Sequence, residues 1–277
     1  MFLAVDIGAT NTRIGLSEDG HSIAKKEKFS TPADFSEGIN LIVKSINDLA
    51  ENNLPNKISV AVAGVVDSQQ GVVLKAPNLI DYNNQPIVEV LENKLQTKVI
   101  LGNDADFAAL GEANLGAGRG YKIVAFITLS TGVGGARVVS GEIDETAIGF
   151  EPGHQIFDPN GRVWGCGQRG CFESVASGKA FELNFGVKPE NCHNPRIWEE
   201  HAKIVSQGLI NVIVLWSPDI LVLGGSLIKA GQKFLNPLIR HIDENLKIIP
   251  TPKIKVSELG DINVLLGGIY KTINQSF

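Results

Sequence analysis

An acidic residue beside a glycine turn near the N-terminus is the first candidate for chemistry. The apolar run Phe2 to Val5 predicts a short buried strand, and Asp6 and Gly8 follow it directly. Gly8 allows a tight bend close to a ligand, and the polar side chains of Thr10 to Thr12 surround that bend. Such a turn can present backbone N–H groups to a phosphate while the carboxylate holds hydrated Mg²⁺. The same residues also fit an ordinary hairpin with a polar turn, so this motif alone leaves both interpretations open.

A second acidic group follows another predicted strand. The strand Lys98 to Leu101 leads into Gly102, Asn103 and Asp104. A hydroxyl group is a poor nucleophile at neutral pH, and a carboxylate within hydrogen-bond reach can accept its proton. Asp104 has the residue type and the place for such a base, although an acid here also fits the N-cap of a helix.

The pattern of strand, glycine-rich turn and strand occurs twice. Ile123 to Leu129 predicts a strand, the polar turn Ser130 to Gly135 follows it, and Ala136 to Val139 returns. A further strand, Ile220 to Leu223, ends at Gly224 and Gly225. This weak internal repeat predicts two related domains that hold a nucleotide in a cleft between them.

Alternating strands and helices must position these turns. The alternation predicts an α/β architecture with mainly covered sheets. Gly116 to Gly120 forms a glycine-rich break between the halves. We expect an N-terminal α/β domain over residues 1–114 and a C-terminal α/β domain over residues 115–264.

Composition excludes several classes of protein. The chain has 277 residues, 43% of them hydrophobic, and a formal net charge of −5 without a cluster of Lys and Arg. This charge argues against a nucleic-acid surface, and the longest apolar stretches are too short to span a membrane. The first apolar run stops at Asp6, so we expect no secretory signal. Three cysteines do not make a disulfide framework, which predicts a reducing cytoplasm.

Five motifs in order give the chain a family resemblance over nearly its whole length. Asp6 to Thr10 and Leu129 to Gly135 resemble the two phosphate motifs of the ROK family of sugar kinases. Leu223 to Gly225 is similar to the adenosine motif of that family, and Glu151 to His154 and Gly170 to Glu173 resemble its sugar-binding signatures. The resemblance implies the two-domain actin-like ATPase fold (hexokinase/Hsp70-like, ribonuclease H-like) with a cleft between the domains. It also implies ATP and Mg²⁺, γ-phosphate transfer to a hexose hydroxyl, and a last helix (about 265–277) that joins the first domain.

The resemblance also assigns roles to residues. It places the general base at Asp104, and Mg²⁺ on Asp6 through water. The implied sugar contacts are Asn103, Asp104, Glu151, His154 and Glu173. Gly64 and Asn78 are further candidates for sugar contacts, although a strand end and an ordinary turn explain them equally well. The implied ATP contacts are Asp6, Gly8, Thr10, Asn11, Thr12, Thr131, Gly132, Gly134, Gly224 and Gly225.

The chain departs from the family pattern at a zinc site. The family usually ties a loop beside the sugar with one His and three Cys around zinc. His154, Cys166 and Cys171 match this set, but Trp164 stands where the first Cys is expected. A structural zinc takes four ligands, so we expect no stable zinc here. We expect instead that Trp164 packs with Val163 and Phe172 as a hydrophobic plug that orders the loop.

The resemblance implies a kinase of the glucokinase type that phosphorylates the 6-hydroxyl of a hexose or N-acetylhexosamine. An N-acetylglucosamine or N-acetylmannosamine kinase or a fructokinase of the same family is the alternative. A sugar-responsive transcriptional regulator is disfavoured, because the first strand at Phe2 leaves no room for an N-terminal DNA-binding module. We expect a sugar and ATP as partners, with no nucleic acid and no membrane, and we leave a homodimer open.

Overall fold

A computed structural model describes residues 1–51, 53–144 and 146–274. Its strands are β1 (Phe2–Ile7), β2 (Asn11–Ser17), β3 (Lys25–Ser30), β4 (Lys57–Val62), β5 (Val65–Asp67), β6 (Val72–Lys75), β7 (Lys98–Asn103), β8 (Ile123–Leu129), β9 (Val133–Val139), β10 (Glu142–Ile143), β11 (Ile220–Gly224) and β12 (Lys253–Val256). Its helices are α1 (Phe35–Ala50), α2 (Ile87–Leu95), α3 (Asp104–Asn114), α4 (Glu173–Ala176), α5 (Gly178–Phe185), α6 (Pro195–Trp216), α7 (Gln232–Asn245) and α8 (Asn263–Asn274). Short 3₁₀ helices lie at Ile80–Tyr82, Pro152–His154, Pro189–Asn191, Ser226–Ala230 and Gly260–Ile262.

The chain divides into two compact units that repeat one sheet topology. The first unit contains Met1–Gly116 and the C-terminal segment from Asp261, and the second contains Ala117–Asp144 and Phe150–Gly260. The first sheet has the order β3-β2-β1-β4-β7 and the second the order β10-β9-β8-β11-β12. In each sheet the first two pairings are antiparallel and the last two are parallel. This match confirms the internal repeat that the two glycine-rich turns predict.

The core of the first unit is built from strands with apolar faces and one amphipathic helix. Asp34 caps α1 by accepting a hydrogen bond from the backbone N–H of Glu37, as an N-cap acid does. Ile39, Ile42 and Ile46, at helical spacing, are then fully buried against the sheet. The core therefore holds the carboxyl ends of β1, β4 and β7 in fixed register.

Helix α8 belongs to the first unit although it comes last in the chain. It packs against α3 and against β1 and β4, and Leu265 and Ile269 are buried there. The helix begins at Asn263 and is described to Asn274. Residues 275–277, which the predicted C-terminal helix includes, lie outside the described residues.

The core of the second unit forms where α6 packs with α5 and α7. Asn194 caps α6 through its side chain, and Pro195 occupies the first helical position. The helix therefore begins nine residues before Ile204, where the apolar periodicity of the sequence first predicts it. The added turns bury Trp198 and His201 completely. None of the described helices is long and apolar enough to cross a membrane.

Candidate active site

The first glycine turn joins β1 to β2 and is closed by backbone and hydroxyl hydrogen bonds. Gly8 N donates to the Asn11 carbonyl at 3.1 Å, and Thr31 Oγ1 donates to the Gly8 carbonyl at 2.7 Å. Thr10 lies exposed in the turn, whereas Asn11 and Thr12 begin β2. The side chain of Thr12 is buried, and its Oγ1 lies 3.0 Å from Thr31 Oγ1. Ala9 and Thr10 are thus the residues of this turn that are exposed to solvent.

Asp6 carries a buried carboxylate beside that turn. It pairs with Arg13, its cross-strand neighbour on β2, at 2.8 Å between Oδ2 and the guanidinium. Burial raises the pKa of Asp6, while the charge and hydrogen bond of Arg13 oppose that rise. Arg13 carries no distinctive sequence pattern, and only the register of the β1–β2 hairpin brings it opposite Asp6.

Asn103 and Asp104 lie where β7 ends and α3 begins. Asn103 Oδ1 accepts the Ala105 and Asp106 N–H groups at 2.7 and 3.2 Å, and its Nδ2 donates to the Gly64 carbonyl at 2.8 Å. Asp104 is therefore the first residue inside the helix, and Asn103 is the cap. The structure brings Gly64, Asn103 and Asp104 together, whereas Asn78 lies exposed in the turn after β6.

The second glycine turn, between β8 and β9, is closed in the same manner as the first. Ser130 N donates to the Gly132 carbonyl at 2.9 Å, and the Ser130 carbonyl accepts Gly178 N at 2.7 Å. Thr131 is exposed at the tip, and Gly134 lies within β9. Each unit thus presents an exposed threonine and backbone N–H groups at the corresponding turn of its sheet.

The glycine pair after β11 lies next to the second turn. Gly224 ends β11, and Gly225 has a φ of 91°, in the region that favours glycine. A Cβ atom on Gly225 would lie 2.3 Å from the Leu129 carbonyl oxygen, so this close approach excludes any larger residue. Ser226 Oγ lies 3.2 Å from Ser130 Oγ and joins the two turns. Ser130 and Ser226 were not predicted as site residues, since a single serine beside a glycine turn carries no distinctive pattern.

Glu151 and His154, in the loop between β10 and α4, form a polar group with Glu173, the first residue of α4. A 3₁₀ helix, Pro152–His154, places His154 Nε2 3.7 Å from Glu151 Oε2. Partial burial raises the pKa of Glu151, His154 lowers it, and the negative charge of Glu173 raises it further. These three predicted sugar contacts are therefore close enough to influence one another electrostatically.

The structure corrects the expected hydrophobic plug. Val163 is 57% exposed, and Phe172 is buried against Phe157 in the core of the second unit. Trp164 is half-buried and donates its indole N–H to Glu173 Oε1 at 2.7 Å. Val163 forms a strand-like bridge with Arg169, and its side chain points to solvent. Trp164 is therefore anchored by its hydrogen bond to Glu173 and not by packing against Val163.

The donors for a zinc ion form an incomplete set. The ligand atoms of His154, Cys166 and Cys171 lie within 4.8 Å of one another, and the two sulfurs are 3.8 Å apart. Two thiolates on a tetrahedral zinc, each at about 2.3 Å, are separated by about this distance. Buried His154 Nδ1 has no hydrogen-bond partner among the described residues. Three donors thus fit a zinc ion, but Trp164, in the place of the fourth, is an N–H donor to Glu173 and cannot coordinate a metal.

We expect the purified protein to contain well under one zinc ion per chain, and the Trp164→Cys variant to contain about one, because a structural zinc takes four ligands. Burial also raises the pKa of Cys171 to about 11, so this thiol must release a proton before it binds metal. Elemental analysis after dialysis measures both contents. Cys166→Ser in the Trp164→Cys background is the control and should return the content to a low value. A full equivalent of zinc in the wild-type protein would contradict this expectation.

The chain is similar in sequence and in fold to known proteins. The model of the ROK family matches residues 2–272. The chain is 29% identical to a glucokinase from Thermotoga maritima, over 96% of this chain and 95% of that protein. It is also 29% identical to an N-acetylmannosamine kinase from Vibrio vulnificus, over 96% and 95% of the two chains. The structure is similar to that of a ROK family glucokinase from Streptomyces griseus in complex with glucose and AMPPNP, with a TM-score of 0.85, 26% identity and coverage of 97% and 98%.

Proposed function

Because the chain belongs to the ROK family and is an ATP-dependent sugar kinase of the actin-like ATPase fold, we propose that it transfers the γ-phosphate of ATP to the 6-hydroxyl of a hexose, as a glucokinase does. The general base in this proposal is Asp104. The observation that carries the proposal is the junction of β7 and α3, where Asn103 caps the helix and leaves Asp104 in its first turn.

Asp104 suits the role of a base for an attacking hydroxyl. A helix N-terminus favours negative charge, which stabilises the ionised carboxylate that the reaction needs. Asp104 Oδ1 accepts the N–H of Ala105 at 2.9 Å, so the side chain is oriented before a substrate arrives. The carboxylate accepts the hydroxyl proton as the oxygen attacks phosphorus, and phosphoryl transfer otherwise depends on positioning and charge stabilisation.

We assign the sugar contacts to polar groups with fixed surroundings. Asn103 is held by Gly64 and by the start of α3, and Glu151 and His154 lie together in the loop before α4. A buried sugar hydroxyl without a partner is costly, so several groups at fixed positions are needed to bind the ring. The assigned sugar contacts are Gly64, Asn78, Asn103, Asp104, Glu151, His154 and Glu173.

We assign ATP to the two glycine turns and to the glycine pair after β11. Their exposed threonines and backbone N–H groups suit the phosphates, and we assign the adenosine to the glycine pair because it lies beside the second turn, where Ser226 Oγ is 3.2 Å from Ser130 Oγ. Asp6, buried at the end of β1, would hold Mg²⁺ through water, and that ion would neutralise charge on the phosphates when bound. The assigned ATP contacts are Asp6, Gly8, Thr10, Asn11, Thr12, Thr131, Gly132, Gly134, Gly224 and Gly225.

An N-acetylmannosamine kinase is the second candidate, and the equal identity to the Vibrio vulnificus enzyme favours it. Both candidates use the same groups for ATP and for the base. They differ in the second carbon of the sugar, in both its substituent and its configuration.

We expect glucose to give the highest kcat/KM in a coupled ADP-release assay in which glucose, mannose, fructose, N-acetylglucosamine and N-acetylmannosamine are each tested as the substrate. The sugar 6-deoxyglucose is the control: it lacks the accepting hydroxyl, so it should inhibit competitively without releasing ADP. Phosphorus NMR of the product identifies the phosphorylated position. A higher kcat/KM for N-acetylmannosamine would transfer the assignment to the second candidate, and turnover of 6-deoxyglucose would refute transfer to the 6-hydroxyl.

A further inference from the structure

Glu173 has both carboxylate oxygens bound by the protein. Oε1 accepts the indole N–H of Trp164 at 2.7 Å, and Oε2 accepts the backbone N–H of Val133 at 2.9 Å. The two donors come from different segments, since Val133 follows the second glycine turn and Trp164 lies in the loop before α4. A Cβ atom on Gly132 would lie 2.6 Å from Oε2, so the turn itself is packed against this carboxylate.

Trp164 is held in place by its own surroundings. Its backbone N–H donates to the Gln168 carbonyl at 2.9 Å, and its carbonyl accepts Gly167 N at 2.9 Å, which closes a short turn. Lys179 Nζ lies 5.5 Å from the centre of the indole ring, within the range of a cation–π contact. The indole N–H is thus directed at Glu173 by a backbone turn and by a contact on the ring face.

We propose that Trp164 is a positioning residue that sets the carboxylate of Glu173 for the sugar through its indole N–H. This inference rests on the proposed function, in which Glu173 contacts a sugar hydroxyl. A carboxylate oxygen accepts about two hydrogen bonds, so Oε1 and Oε2 each keep capacity for a sugar hydroxyl beside the protein donor. Trp164 thereby orders the loop before α4 through a hydrogen bond, at the position where the family pattern has a metal ligand.

The variant Trp164→Phe tests the proposal because it keeps an aromatic ring near Lys179 and removes the N–H donor together with the five-membered ring that carries it. We expect the KM for the sugar to rise about tenfold, the loss that one hydrogen bond to a charged acceptor explains. The kcat should change less than twofold, since a contact made equally in the ground state and the transition state affects KM alone. The KM for ATP should also change less than twofold, because Val133 still binds Glu173.

Trp198→Phe is the matched control. It removes a second indole N–H donor, which bonds to the Cys192 carbonyl at 3.0 Å in the core. This variant should lower the melting temperature and leave the KM for the sugar unchanged. A sugar KM within twofold of wild type in Trp164→Phe, or an equal rise in Trp198→Phe, would overturn the proposal.

A spectroscopic measurement separates this inference from the proposed function. The chain has three tryptophans and therefore three indole N–H resonances, which single Trp→Phe variants assign. Without any substrate, Glu173→Gln should shift the Trp164 indole proton and leave the other two in place. An unshifted Trp164 resonance overturns the inference, whereas a wild-type protein that phosphorylates none of the tested sugars overturns the proposed function instead.

Discussion

Asp104→Asn is expected to lower kcat by about 10²–10⁴-fold, the usual contribution of a general base. The amide has the same shape as the carboxylate, and its oxygen can still accept the N–H of Ala105. It cannot accept the proton of the attacking hydroxyl at neutral pH. The loss should therefore appear in kcat, while the dissociation constant for the sugar, measured by calorimetry, stays within a few-fold of wild type.

Asp106→Asn is the matched control for this measurement. Asp106 lies in the same first turn of α3, and its backbone N–H bonds to the same Asn103 side chain. Both variants replace an aspartate with asparagine in the first turn of α3. A general effect of charge at the helix N-terminus would therefore appear in both of them. Nearly wild-type turnover in Asp104→Asn would remove Asp104 from the role of base. An equal loss in both variants would assign the effect to the helix end.

The second large effect concerns folding and pH, and it arises at His201. This side chain is fully buried among the rings of Phe181, Phe185 and Phe234. Neither ring nitrogen has a hydrogen-bond partner among the described residues. Burial lowers the pKa of His201 to about 4, and the nearby backbone of Ala176 opposes this change.

The contribution of His201 to the free energy of unfolding should therefore fall by about 3 kcal/mol as the pH is lowered from 6.5 to 4. In this window the unfolded chain binds a proton at His201 that the folded chain cannot bind. The stabilisation is fully present above pH 6.5 and is lost progressively below it. Urea unfolding at a series of pH values measures this slope.

His201→Phe and His201→Leu should remove this contribution to the slope, whatever pH-independent cost their packing adds. His193→Gln is the control, because His193 is exposed and its replacement should leave the slope unchanged. If the difference in unfolding free energy between wild type and both His201 variants is constant from pH 7 to pH 4, the explanation by burial fails.

Parts of the candidate site could be predicted from local patterns. The two glycine turns follow apolar runs directly. A short apolar run that ends at glycine and polar residues can be recognised from neighbouring residues alone, so these turns could be predicted. Asn103 was predicted as a sugar contact and Asp104 weighed as a helix cap, whereas the structure makes Asn103 the cap. A shift of one residue at a helix end lies beyond what composition resolves, because both residue types cap helices well.

Other parts depended on contacts between distant segments. The start of α6 was missed because its first turns carry charged residues, and only packing of Trp198 and His201 against α5 and α7 buries that region. The pairing of Asp6 with Arg13 depends on strand register, which the hairpin sets. The predicted packing of Trp164 with Val163 was wrong. Neighbouring side chains in an extended segment point to opposite sides, and Val163 is exposed.

The sequence by itself determined the alternation of strands and helices, the repeat of two glycine turns and membership of a kinase family, because these follow from residue types at short spacing. The tertiary structure alone decided which donor each carboxylate meets. Glu173 is 40 residues from Val133 and nine from Trp164, yet it binds both. Hydrogen bonds need atoms within about 3 Å and aligned, and such positions are set by packing of the whole unit rather than by any local stretch.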